Sequence, residues 1–269
     1  MISSLAWKRI RSLGSLLVVI LILIEFWLYG LKNDHLTEKV KRIHSGSEVS
    51  SGGNRVIGSY AQAKKYAFSV SYWHPFTFYC DCSFDKQGIL FQGCLYKPRA
   101  GSSERAYRLE WEHIVPASLF GRKFKEWHQG HELCVRPDGS RYFGRACVRK
   151  VSGQFRLMES DLYNLVPSIG EVNRIRGNLP FVERSGNSPM NVCNLSIGRR
   201  TIVPPQRLKG FIARTYLYMN ESYPEFGLLS PDETDRYYHW HQAFSPTDHE
   251  ILRAREIARI QKNKNAFVL

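Results

Sequence analysis

Six cysteines constrain this chain more than any other feature of its sequence. They stand at Cys80, Cys82, Cys94, Cys134, Cys147 and Cys193. An even set behind an export-type N-terminus reads as a disulfide framework formed in an oxidising compartment. Zinc is the competing reading, but the Cys80-Asp81-Cys82 spacing is tighter than usual zinc pairs, and no second close Cys or His pair completes a four-ligand set. All six are disulfide candidates, and their pairing stays open. Between Cys134 and Cys147 the run Arg136-Pro137-Asp138-Gly139-Ser140-Arg141 carries turn chemistry, so a disulfide-closed loop is expected there.

The export reading rests on Lys8, Arg9 and Arg11, which precede an apolar run over 13–24 that resumes after Glu25 as 26–31. Its first half matches a signal-peptide core, and the whole run is just long enough to span a bilayer with Glu25 near the outer interface. No small-x-small cleavage site follows closely, so 1–31 is read as a signal peptide or, preferably, an uncleaved anchor with its basic end cytoplasmic. The remainder is expected to be periplasmic or secreted. Residues 32–56 are polar and rich in Ser and Gly, a flexible linker before a folded domain over 57–269.

Against an ordinary globular composition, charge stands out: 38 Lys and Arg oppose 24 Asp and Glu, a net charge of +14. That balance favours a polyanionic partner, nucleic acid or an anionic membrane. The basic residues recur through the body of the chain among Tyr, Phe and Trp, which favours nucleic acid.

Local patterning predicts a helix over 60–67, strands over 76–79 and 155–158, and helices over 208–219 and 247–261. Ser160 or Asp161 is placed to cap a further helix with Asn164 near its start. The aromatic and histidine run 237–241 reads as an aromatic surface or half-buried strand rather than a base-stacking or metal site. There are no internal repeats.

The candidate chemistry lies in Glu110-Trp111-Glu112-His113-Ile114-Val115-Pro116. Beta-branched residues followed by proline suggest a strand end turning into a loop, where an acid and an imidazole can be aimed at one cleft. A hydrolytic metal site needs an anionic oxygen ligand for a hard cation and a base titrating near neutrality, and Glu112 and His113 are those residue types. Asn164 adds a carboxamide oxygen. The predicted order of strand, second strand over 155–158, and helix carrying Asn164 is that of a β-β-α metal nuclease.

Several ordered segments resemble the bacterial endonuclease I family. They are Glu110-Trp-Glu-His-Ile-Val-Pro-Ala117 with Phe120-Gly121, and Asp161-Leu-Tyr-Asn-Leu-Val-Pro-Ser-Ile-Gly-Glu-Val-Asn173 with Arg176 and Asn178. Phe78-Tyr-Cys-Asp-Cys82, Gly210-Phe-Ile-Ala-Arg214 with Tyr218-Met219, and the segment from Ile260-Gln261 to Phe267 follow the same order. The resemblance covers roughly residue 57 to the end. It implies an α+β fold with a β-β-α metal core of the His-Me finger type, and a sequence-nonspecific endonuclease acting on DNA and often RNA to leave 5′-phosphate ends. It further implies one divalent cation per site, Mg²⁺ with Mn²⁺ or Ca²⁺ able to occupy it. Carried onto this chain, it makes Glu112 and Asn164 the metal ligands and His113 the general base. Glu171, Asn173, Arg176 and Asn178 would contact phosphate or brace the site. A monomer is expected.

Two positions depart from the family pattern. Tyr163 stands where the family has histidine, and Gly130-His131-Glu132-Leu133-Cys134 lacks an arginine expected to steady the phosphate. Arg122, Arg136, Arg141 and Arg145 lie between the catalytic pair and Asn164, and Arg136 is the expected catalytic replacement because it follows the gap. Arg122, Arg141, Arg145 and Arg176 are the expected nucleic-acid contacts. The alternative is a membrane-tethered nucleic-acid-binding protein with impaired catalysis.

Overall fold

The computed structural model describes residues 52–98, 101–184 and 190–269. The expected signal or anchor over 1–31 lies outside the described residues, as does the expected linker up to residue 51. Among the described residues, no helix is long and apolar enough to cross a membrane. Within 52–56, assigned to the linker by composition, Gly53 and Asn54 are buried, and the Asn54 backbone N–H donates to Asp161 and Tyr223.

The first helix, α1 (Tyr60–Val70), begins where predicted, with Ser59 accepting from the Gln62 backbone as its N-cap. Strand β1 (Leu109–His113) then leads through four short helices, α2 (Ala117–Gly121), α3 (Lys125–Gln129), α4 (Gly144–Val151) and α5 (Gly153–Glu159), to β2 (Leu165–Ile169). Helix α6 (Gly170–Arg176) follows β2 without a loop. A second sheet orders β3 (Met190–Val192), β4 (Leu195–Ile197) and β5 (Ile202–Val203) antiparallel. Three longer helices close the chain: α7 (Gln206–Ser222), α8 (Pro231–Ala243) and α9 (Asp248–Gln261). This is the expected α+β class.

Four local expectations change. Residues 155–158 are helical, because the Ser152 hydroxyl caps α5 through the Phe155 backbone at 3.1 Å and Phe155 and Met158, three apart, share one buried face. Phe155 there meets the rings of Phe120 at 5.5 Å and Phe124 at 5.8 Å, a tertiary contact that overrides its strand propensity. The second strand is instead 165–169. Asn164 ends a 3-10 turn over Leu162–Asn164 capped by Asp161, so it precedes a strand rather than opening a helix. Residues 76–79 make only an isolated bridge from Phe76 to Ser83, and 237–241 lie inside α8, where Tyr237 stacks on Tyr216 of α7 at 4.4 Å.

The cysteines pair as Cys80–Cys193, Cys82–Cys94 and Cys134–Cys147, and none is free. The first links segments 113 residues apart. In chain-entropy terms a loop of that size is worth about 4–5 kcal/mol, the largest constraint of the three.

Two buried polar centres hold the closing helices, the first to one another and the second to the rest. Arg214 on α7 forms a two-pronged ion pair with Glu250 on α9, both contacts 2.6 Å. Asp161, fully buried, accepts from Tyr218 and Tyr223 hydroxyls at 2.8 Å and from Gln261 at 3.1 Å, besides Asn54. Burial raises this carboxyl and the four donors oppose that rise.

Candidate active site

Strand and helix spacing together build the site. Glu110 and Glu112 are two apart on β1 and so point to one side, while Asn173 and Arg176 are three apart on α6 and share a helix face. The two pairs meet. Asn173 Nδ2 donates to Glu110 Oε2 at 2.9 Å, and Arg176 Nη1 donates to Glu112 Oε1 at 2.9 Å. Arg105 holds Glu110 from the other side through two 2.7 Å bonds. Gly170 permits this closeness: a Cβ there would lie 2.7 Å from Glu110 Oε1 and 2.8 Å from the Arg105 carbonyl.

Glu112 is buried, and Tyr79 adds a second donor to the same Oε1 at 3.0 Å. Oε2 takes part in neither contact. Burial pushes this carboxyl up, against the pull of Arg176 and the Tyr79 hydroxyl. Arg176, also buried, extends to the carbonyls of His113 and Ile114 and covers the Phe181 ring at 4.8 Å. Arg176 lines the cleft, where its guanidinium is engaged by Glu112 and two backbone carbonyls.

His113 leaves β1 on the opposite side. Its Nε2 lies 2.9 Å from the Glu159 backbone oxygen. A carbonyl only accepts, so Nε2 carries the proton and the neutral ring keeps its lone pair on Nδ1. Burial, with the nearby positive charge of Arg145, pushes the imidazole down to about 4, so His113 is an unprotonated base at neutral pH. Tyr60 of α1 stacks on the ring at 5.4 Å and is itself fixed by donating to the Trp111 carbonyl at 3.1 Å.

Glu112, His113, Asn173 and Asn178 line one cleft of about 520 Å³, with Lys64, Arg145 and Arg174 as further basic lining residues. Of the four arginines put forward for the missing phosphate contact, only Arg145 lines it. Arg145 donates to the buried Glu159 carboxylate at 2.5 Å and covers the Tyr60 ring at 5.6 Å, while Arg149 grips the same carboxylate through two bonds. Burial would raise Glu159, but these arginines outweigh it and hold it below the ordinary range. Arg136, the preferred candidate, is exposed on the Cys134–Cys147 loop, bonded to Ser140 and set over Tyr142. Arg122 and Arg141 are exposed and line no part of the cleft.

Asn164 stands elsewhere. Its Oδ1 accepts from the Val115 backbone at 2.7 Å and its Nδ2 donates to the Val115 carbonyl at 2.9 Å, so the fully buried amide is consumed in stitching the end of β1 to the start of β2. The carboxamide that lines the cleft is Asn173, whose Nδ2 is bonded to Glu110 and whose Oδ1 takes no part in that bond. The two asparagines should therefore separate in assay. Asn164→Ala leaves two buried backbone groups unpaired and is expected to cost about 2–3 kcal/mol of unfolding free energy in urea titration. Asn173→Ala should leave the urea midpoint near wild type and lower the cleavage rate at least tenfold, roughly 1.4 kcal/mol of activation energy. A stable, inactive Asn164→Ala with a fully active Asn173→Ala would reverse the assignment.

Sequence reasoning missed Tyr60, Glu110 and Glu159. The signal available for Glu110 was the matched spacing of two acids on a strand and Asn173 with Arg176 on a helix. Tyr60 and Glu159 reach the site only through tertiary packing.

The donor set suits a hard cation rather than a closed cage. Among the described residues no group of three or more His, Cys, Asp or Glu side chains is placed to hold a metal. One carboxylate and one carboxamide oxygen in a basic cleft fit an ion such as Mg²⁺, which keeps several waters and shares its shell with substrate phosphate.

A neutral, oriented imidazole beside oxygen donors, in a cleft with a basic lining, defines a hydrolytic site for a polyanionic substrate. The chain's residues 61–269 match the family model described as Endonuclease I. Endonuclease-1 of Buchnera aphidicola subsp. Acyrthosiphon pisum is 33% identical over 88% of this chain and 91% of its own length. Two Aeromonas hydrophila proteins, an extracellular and a periplasmic deoxyribonuclease, are 34% and 35% identical over 72% of this chain and 82% and 78% of their own lengths. The chain belongs to the endonuclease I family, as its motifs suggested, and is an endonuclease.

Proposed function

We propose that this endonuclease hydrolyses DNA phosphodiester bonds without reading sequence, using His113 as general base and a divalent cation, Mg²⁺ in the first instance, held by Glu112 and Asn173. The observation that carries this reading is the tautomer of His113: Nε2 is committed to the Glu159 carbonyl, so Nδ1 is the basic atom, in the same cleft as the two oxygen donors. In this reading β1, β2 and α6 form the β-β-α core, with Asn173 on its helix in place of Asn164. A bound cation would supply charge neutralisation at the scissile phosphate. His113 Nδ1 takes a proton from the attacking water while the Glu159 carbonyl holds the ring in plane. Arg145 presents its guanidinium to the phosphate oxygens as charge builds on them, and attack expelling the 3′ oxygen leaves a 5′-phosphate.

Sequence-independent binding follows from backbone contacts, which position a nucleic acid without specifying bases. The deoxyribonuclease names of the relatives support DNA as substrate. Their extracellular and periplasmic designations, together with three disulfides, support a periplasmic or secreted location for this chain. RNA carries the same phosphodiester and is a second substrate to assay. The catalytically impaired alternative drew its support from a missing arginine, and Arg145 in the cleft weakens that support.

Nicking of supercoiled plasmid tests the reading. Cleavage should require added Mg²⁺ and stop with excess chelator. At saturating DNA, Arg145→Ala should lower the rate at least tenfold, about 1.4 kcal/mol. Arg136→Ala and the exposed Arg259→Ala should stay near wild type. Metal-independent cleavage would overturn the metal assignment, and a wild-type rate for Arg145→Ala would overturn that of the arginine.

A further inference from the structure

A second cavity, of about 330 Å³, shares no lining residue with the catalytic cleft. Val166 and Pro167 of β2 form part of its wall, and Phe78, Phe211 and Phe244 give it an aromatic interior. Trp73, three-quarters exposed, stands at its rim with Phe76. His74 and His249 stack in the same wall with ring centroids 3.9 Å apart. Burial and the neighbouring His249 lower His74.

Most charged side chains lining this cavity are already paired. Asp81 meets Arg207 at 3.2 Å, and Glu250 meets Arg214 at 2.6 Å. Arg253 differs. Its Nη2 donates to the carbonyls of Leu162 and Leu165, each at 2.6 Å, and its guanidinium covers the Phe211 ring at 5.5 Å. Among the described residues no carboxylate lies within ion-pair distance of it. Burial pushes its guanidinium down to about 10, against the opposing charge of Glu250. An anion entering the cavity would offset that cost while its apolar body displaced water from the aromatic wall.

We propose that the cavity lined by Arg253 and these aromatic side chains is a binding site for an amphipathic organic anion, a flat aromatic body bearing one carboxylate or sulfonate. A polynucleotide backbone is a poor fit, because it calls for a row of cations and this wall offers one charge without a carboxylate partner.

The test uses 8-anilinonaphthalene-1-sulfonate, an aromatic anion whose fluorescence rises on leaving water, titrated into the full native chain. Saturable one-to-one binding is expected, and neutral N-phenyl-1-naphthylamine should bind roughly tenfold more weakly, the scale of one charge-assisted contact. Arg253→Met should abolish that preference for the anion. Because Arg253 also supports two backbone carbonyls, Ser245→Trp, at an exposed lining position, provides a variant that leaves those bonds intact; it should weaken dye binding at least about fivefold by occluding the cavity. Dye bound to the apolar run 13–31 or to surface aromatics would respond to neither change. Absence of saturable binding, unchanged affinity in Ser245→Trp, or an anion preference that survives in folded Arg253→Met would each overturn the proposal.

Discussion

His113→Ala is expected to slow plasmid cleavage roughly 10²–10⁴-fold at saturating DNA, while DNA affinity changes by no more than about twofold. The expectation follows from how completely the ring is committed. Its Nε2 is used by the Glu159 carbonyl, its face is covered by Tyr60, and its depressed proton affinity keeps Nδ1 unprotonated. Among the described residues no other histidine lines the cleft. The substitution also strands the Glu159 carbonyl at a modest stability cost, so the rate must be taken at a temperature where the variant is folded. A variant that cleaves at the wild-type rate would remove His113 from the mechanism, and a matching loss of DNA affinity would make it a binding residue.

Arg176→Met should be among the most destabilising single changes in the chain, about 3–5 kcal/mol by urea or thermal unfolding, because it leaves Glu112 buried without its counter-charge. It also takes donors from the His113 and Ile114 carbonyls. The pH dependence has a definite sign. Removing the cation raises the folded-state affinity of Glu112 for a proton further above that of the unfolded chain. Glu112 then contributes stability that is fully present below the unfolded carboxylate range and is lost as pH rises through its folded value. The deficit of the variant should therefore be smaller near pH 4 than at pH 8. Glu112→Gln in the same background should recover part of the loss at pH 8 and almost none at pH 4. A deficit independent of pH, with no rescue, would show that the ion pair is not what Arg176 contributes.

Glu112 and His113 were legible in the sequence because strand chemistry, a proline stop and an acid beside an imidazole all fall within seven residues. Asn164 and Asn173 were not told apart. Residues 155–158 look like a strand by composition, which moved the second strand about ten positions early and put the wrong asparagine on the helix; the packing of Phe155 against Phe120 and Phe124 decides otherwise, and no local signal carries it. Which of Arg122, Arg136, Arg141 and Arg145 lines the cleft was hidden for a related reason. Sequence order favoured Arg136, but Glu159, fourteen residues beyond Arg145, holds that arginine at the cleft. Disulfide formation followed from the even cysteine count, whereas the pairing required the fold.

The Asp161 centre has a consequence for synthesis. Leu162, which opens the turn before β2, takes its backbone partner from Gln261, and Arg253 supports the carbonyls on both sides of Asn164. Gln261 and Asn263 meet each other at the same place, and Asn263 donates to Tyr218 and to Gly52 near the start of the described chain. A polypeptide made from its N-terminus onward therefore gains these contacts to the turn before β2 only after residues 253–263 have been made. Chains cut short before Gln261 keep Tyr218, Tyr223 and Asn54 as donors to Asp161 but lose the Gln261 amide and, with it, the acceptor of the Leu162 backbone N–H.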